Sequence, residues 1–106
     1  MMSLSSVRLD KWLWAARFFK TRGLAQTAVE SGRVFVNQER VKVAHSLRAG
    51  DQIHLRQGDI SRTLQVLELS DRRGAAVVAQ TLYLETPESV KKREELQQIK
   101  RFSGEP

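Results

Sequence analysis

The side chains of this sequence best placed to do chemistry are a run of cations, and the chemistry they offer is the recognition of anions. Between positions 8 and 48 stand nine of them (Arg8, Lys11, Arg17, Lys20, Arg22, Arg33, Arg40, Lys42 and Arg48) against three acids, Asp10, Glu30 and Glu39. The 106-residue chain has a formal net charge of +6, so this stretch holds the whole surplus and the rest is neutral. Positive charge gathered in this way points to a polyanionic partner. The plain alternative is a solubilising surface, which any small protein can carry.

Nothing comparable supports catalysis. His45 and His54 are nine positions apart, and neither has an acid at a spacing suited to a metal site or a proton relay. Both read as surface histidines, with His54 pointing outward from a strand. Asp51 and Asp59 are not far apart, but Asp51 follows Gly50 and Asp59 follows Gly58, a context of turns rather than of an acid–base pair. The absence of cysteine excludes disulfides, thiolate zinc sites and cysteine nucleophiles. No glycine-rich phosphate loop and no activated serine arrangement is present. The expectation is a protein with no catalytic residue, no metal and no cofactor.

The cations need elements to position them. Leu9, Leu13 and Ala16, with Trp12 and Phe19 beside them, have helical spacing, and Lys11 to Lys20 contains neither Gly nor Pro. Asp10 is the expected N-cap of this helix. A second short helix follows Thr21, with Leu24, Ala25, Ala28 and Val29 as its core stripe and Gly32 as its C′ residue. The pattern then turns to strands: Val34-Phe35-Val36, a polar turn over Asn37-Gln38-Glu39, and Val41-Lys42-Val43. A further pair, Gln52 to Arg56 and Arg62 to Leu69, is joined by a hairpin turn at Gln57-Gly58-Asp59. Ala75 to Leu84 fits helix and strand equally. Thr86-Pro87-Glu88 is a helix start, with a capping hydroxyl, proline in the first position and acid in the first turn, and the helix is predicted over 87–102.

This ordering predicts an α+β fold: two short N-terminal helices packed on a small, mainly antiparallel sheet, with a C-terminal helix. The length allows one compact domain, read as a module over 8–69 and an extension over 70–106. No apolar run approaches the ~20 residues that cross a bilayer, and the start from Met1 to Ser6 lacks a secretory pattern, so a cytoplasmic, non-membrane protein is expected.

Arg8 precedes the first helix, Lys11 lies in its first turn, and Arg17 and Lys20 lie further along. Arg22 opens the second helix, whose N-terminal amides can themselves hold a phosphate. Arg33 starts the first strand, and Lys42 stands on the next. Elements joined by turns this short must pack together, so these side chains should converge on one rim. Trp14, Phe18 and Phe35 offer additional contacts by base stacking, or else pack against the protein itself.

Arg8-Leu9-Asp10-Lys11-Trp12-Leu13, Lys20-Thr21-Arg22, Ala25, Gly32-Arg33-Val34, Val36-Asn37, Val41, Gly50-Asp51 and Ile53 together resemble the RNA-binding domain named after small-subunit ribosomal protein S-four, the alpha-L motif. The resemblance covers the core motif 8–55. A longer match takes in Trp14-Ala15-Ala16-Arg17-Phe18-Phe19, Leu55-Arg56-Gln57-Gly58 and Glu85-Thr86-Pro87-Glu88-Ser89-Val90-Lys91-Lys92-Arg93-Glu94. It is similar to the bacterial heat-shock protein fifteen family. Thr21 stands where the motif often has serine, and Asn37-Gln38 where it often has Asn-Gly. The resemblance implies a non-catalytic binder of structured ribosomal RNA, with Arg8, Lys11, Arg17, Lys20, Arg22 and Arg33 facing the RNA. It also implies action on the free large ribosomal subunit that still carries a nascent chain on tRNA, aiding its recycling. A monomer is expected, since no long apolar seam is visible. The competing readings are a protein-interaction module with incidental RNA binding and a fragment of an RNA-modifying enzyme.

Overall fold

Leu9, Trp12 and Leu13 are fully buried in the computed structural model, which describes residues 4–103, and they define the inner face of α1 (Leu9–Ala15). This helix is shorter than the sequence predicts. Ala16 is its C-cap, and Arg17 takes a left-handed φ of 66°. The amide of Arg17 donates to the Trp14 carbonyl, and that of Phe18 to Leu13, the paired bonds of a Schellman ending. The physical reason lies in Phe18. A continued helix would place it beside Trp14, four residues earlier, on the outer face. Breaking the helix turns its ring inward, where it stacks 6.2 Å from Trp12 and lies 4.7 Å from Tyr83.

Asp10 is not the cap: Arg8 holds the N-cap position, without a side-chain bond, and Asp10 sits buried in the first turn. The amides of Leu9 and Asp10 donate instead to the carbonyls of His45 and Val43. Val41-Lys42-Val43 does not form the expected strand: the chain turns here, with the His45 amide donating to the Lys42 carbonyl, and the Val43 carbonyl is taken by the Asp10 amide of α1.

Helix α2 (Arg22–Glu30) starts where Thr21 Oγ1 accepts from the Leu24 amide at 3.1 Å. Ala25, Ala28 and Val29 face the core, while Leu24, expected among them, is 52% exposed. Gly32, at φ 77°, supplies the C′ position as predicted, with Gly32 N–H on Val29 and Arg33 N–H on Ala28.

Short strands β1 (Val7–Arg8) and β4 (Ser46–Leu47) pair antiparallel at one side. The main sheet contains β2 (Val34–Val36), β3 (Glu39–Arg40), β5 (Gln52–Gln57), β6 (Ile60–Val66) and β7 (Tyr83–Glu85), in the order β3-β2-β5-β6-β7, antiparallel throughout. Asn37 and Gln38 join β2 to β3 with positive φ values of 52° and 70°. A two-residue turn of this kind suits the twist of a hairpin. Val34, Val36, Ile53, Leu55, Leu64 and Val66 alternate onto the buried face against α1 and α2.

The ambiguous stretch is divided between both readings: α3 (Ala76–Ala79), a 3-10 turn over Gln80–Leu82, then β7. Helix α4 (Pro87–Ser103) follows, one residue longer than predicted. Its start is held by Thr86 Oγ1, which accepts from the Ser89 amide, while the Thr86 amide donates to Thr63 on β6. The architecture is therefore α+β, with two short helices on a mainly antiparallel sheet and a C-terminal helix. No helix among the described residues is long and apolar enough to cross a membrane.

Candidate nucleic-acid interface

One buried acid organises the cations of the N-terminal half. The carboxylate of Asp10 is fully buried and accepts from Arg8 Nε at 3.1 Å, Arg8 Nη2 at 3.3 Å, Arg22 Nη2 at 3.1 Å and Gln26 Nε2 at 2.9 Å. The side chains of Arg8 and Arg22 are 49% and 38% exposed, so the acid lies beneath two partly exposed arginines, with Arg22 Nε buried and unpartnered among the described residues. A guanidinium has five donors. Arg8 uses two nitrogens on Asp10 and Arg22 uses one, which leaves donors on both for an external acceptor. Burial pushes the Asp10 carboxyl up. The hydrogen bonds from Gln26, Arg8 and Arg22 outweigh this and hold it below the usual carboxylate range. It is therefore charged at neutral pH and fixes the two arginines in place.

The same edge continues into a groove between the end of α2 and residues 40–44. Arg8, Arg40 and Lys42 line it together with Val29 and Val43. Arg40 lies across Gly32 and donates from Nη2 to the Glu30 carbonyl at 3.2 Å. A Cβ on Gly32 would stand 3.2 Å from the Arg40 guanidinium carbon, so the glycine serves this approach as well as the helix end.

The remaining predicted cations stand apart from this cluster. Lys20 and Arg33 are exposed and Lys11 is half-buried on α1; among the described residues no ion pair or hydrogen bond joins them to Asp10. Arg17 is exposed, and its Nη1 donates to the Gly74 carbonyl at 2.8 Å. Of the first amides of α1, those of Leu9 and Asp10 are spent on His45 and Val43, and in α2 those of Leu24 and Ala25 are taken by Thr21.

The aromatic residues divide. Phe18 packs against the protein itself, at the core edge between Trp12 and Tyr83, one of the two roles the sequence left open for it. Trp14 is half-buried. Phe35 is half-buried on the outer sheet face, 6.3 Å from the ring of its cross-strand neighbour His54. His54 is itself half-buried and bonded to Thr63 Oγ1 at 3.0 Å, not a freely solvated histidine. Asp51 does turn chemistry as expected, accepting from the Arg48 amide at 2.9 Å and from Asn37 Nδ2 at 3.1 Å.

Sequence reasoning missed Gln26 and the role of Asp10. The available signal was an acid flanked by Arg8 and Lys11 at the start of an otherwise apolar helix. An acid in that place is read by default as a cap.

Residues 7–53 match the S4 domain family. The chain is 50% identical to the heat shock protein 15 homolog of Haemophilus influenzae, over 90% of this chain and 72% of that protein. The solved trimeric structure of Vibrio cholerae heat shock protein 15 superposes with a TM-score of 0.88 at 48% identity, covering 92% of this chain and 98% of the other. The RQC P-site tRNA stabilizing factor of Bacillus subtilis is 37% identical over 61% of this chain and 76% of its own length.

Proposed function

Because the chain belongs to the heat shock protein 15 family, we propose that it is a non-catalytic binder of structured ribosomal RNA, acting on the free large ribosomal subunit that carries a nascent chain on tRNA and aiding its recycling. The observation that carries this reading is the buried Asp10 holding the partly exposed Arg8 and Arg22, beside a groove lined by Arg8, Arg40 and Lys42. Fixed guanidiniums match phosphate oxygens in two-point geometry, and a rigid set of them reads the spacing of phosphates on a folded RNA rather than its bases. Lys11, Arg17, Lys20 and Arg33 extend the contact along the same half of the chain. Trp14 and Phe35 are half-buried and keep surface to meet a base. The name of the Bacillus subtilis relative, a P-site tRNA stabilizing factor, supports tRNA on the ribosome as part of the target. We propose the monomer as the binding unit, since a net charge of +6 disfavours close approach of two copies.

Sedimentation with separated small subunits, large subunits and large subunits bearing peptidyl-tRNA, at two salt concentrations, tests the proposal. Selective recovery with the peptidyl-tRNA-bearing large subunit is expected. Equal recovery with every particle, lost together as salt rises, would reduce the protein to a generic polyanion binder. Recovery that resists both ribonuclease and salt would instead favour a protein partner.

A further inference from the structure

The segment joining β6 to α3 is strapped along α1 at two points. Near its start the indole Nε1 of Trp12 donates to the Glu68 carbonyl at 2.9 Å. Near its end Arg17 Nη1 donates to the Gly74 carbonyl at 2.8 Å. Both clamps come from α1 or the turn that ends it. Between them the Ser70 hydroxyl bonds the amide and the carbonyl of Arg72, each at 3.1 Å, which fixes the chain just before Arg73. Arg72 is exposed, and Arg73 is half-buried with its Nε unpartnered among the described residues.

Arg17 is an unexpected residue for its role. It occupies the left-handed C′ position at φ 66°, where glycine is the usual occupant. A strained backbone retained under a side chain that reaches another segment marks the side chain as useful there. The clamp holds the backbone at Gly74, the residue that directly follows Arg72 and Arg73. The held segment thus carries two arginines and one acid, Asp71, between the Ser70 bond and the Arg17 clamp.

We infer that Arg72 and Arg73, on the segment that Arg17 clamps, form a second phosphate-contacting site on the same RNA, carried by a linker that lies beyond the S4 domain match of residues 7–53. The inference rests on the RNA-binding reading above. It adds that the interface turns past the end of α1 onto the C-terminal extension, so that the extension contributes cations and not only packing. The partner is identified by its chemistry: a polyanion with phosphates spaced along a backbone suits separated guanidiniums held on a pinned loop.

The test is the salt dependence of binding to purified large-subunit ribosomal RNA, for the full chain, Arg72→Gln, and Arg72→Gln with Arg73→Gln. The slope of log K against log salt is expected to flatten by about 0.7–0.9 for each phosphate contact removed, with the single variant intermediate. Arg72 is exposed, so the single variant reads the site even where loss of the half-buried Arg73 disturbs folding. An unchanged slope in Arg72→Gln and in a folded double variant, against a steep slope in the full chain, overturns the second site alone. A full chain with no salt-dependent binding overturns the RNA reading itself.

Discussion

Asp10 shows how much one residue can decide. Its carboxylate collects Gln26, Arg8 and Arg22, and without it two guanidiniums would lose their common anchor. Asp10→Asn is expected to cost about 1–3 kcal/mol of stability, measured by urea unfolding. This is less than the loss from breaking a fully enclosed pair, because Arg8 and Arg22 still reach water. The pH dependence follows from the lowered carboxyl. As pH falls below the ordinary value of about 3.9, the unfolded chain takes up a proton that the folded Asp10 resists. Stability contributed by Asp10 is therefore present above that value and lost as pH falls through its folded value. Asp10→Asn should show a shallower acid decline than the parent; an identical decline would mean the cluster does not hold in solution. Arg17 offers a backbone test at the same scale. Arg17→Gly and Arg17→Ala both remove the clamp on Gly74, but only glycine accepts φ 66° without cost. The alanine variant should be less stable by roughly 1 kcal/mol. Equal melting of the two would place Arg17 in an ordinary right-handed turn.

The elements record which signals a sequence carries openly. Helix α2 was legible because Thr21, the alanine–valine stripe and Gly32 all mark it locally, as Thr86-Pro87-Glu88 marks the start of α4. The β5–β6 pair was legible from strict alternation about Gly58. The end of α1 was not, because nothing near Arg17 is a helix breaker; it is set by Phe18 finding Trp12 and Tyr83, and Tyr83 lies far along the chain. Val41 to Val43 has strand-like residues, yet a turn closed by the His45 amide on the Lys42 carbonyl bends it, and its last carbonyl meets the start of α1. Helix α4 is likewise held by groups that only the fold brings together. Ser89 is buried; its hydroxyl accepts from the Thr63 amide at 2.9 Å and donates to Glu85 Oε2 at 2.6 Å, while Arg93 Nη2 meets Glu85 Oε1 at 2.8 Å. Farther along, Lys100 pairs with Asp59 at the tip of the β5–β6 hairpin. Ser89→Ala strands the Thr63 amide and leaves Glu85 Oε2 with its longer bond from Arg93 Nε at 3.3 Å, an expected loss of about 1–3 kcal/mol. Faster hydrogen exchange at the Thr63 amide would locate that loss at the α4–β6 junction. Unchanged exchange there would show that another group holds the helix.

At the scale of the whole molecule, the charge map was readable before any fold: the surplus of +6 belongs to residues 8–48 and the remainder is neutral. What could not be read was which cations share an anchor, since Arg8, Arg22 and Gln26 meet only because α1 packs on α2 over Asp10. This division gives salt two opposite effects. Screening weakens phosphate binding by the basic half, whereas it removes the repulsion that keeps copies apart. The neutral half carries the apolar side chains with most to gain from contact: Val77, Val78 and Leu84 are 69%, 54% and 57% exposed. Sedimentation velocity without RNA is therefore expected to give a single species of 12.1 kDa at low salt, where repulsion is strongest. Any self-association should grow as salt rises, while RNA affinity falls over the same range. A trimer already complete at low salt would overturn the monomer as the binding unit. It would mean that apolar contact outweighs the repulsion of the basic halves, and a bound RNA would then meet three Asp10-anchored clusters at once.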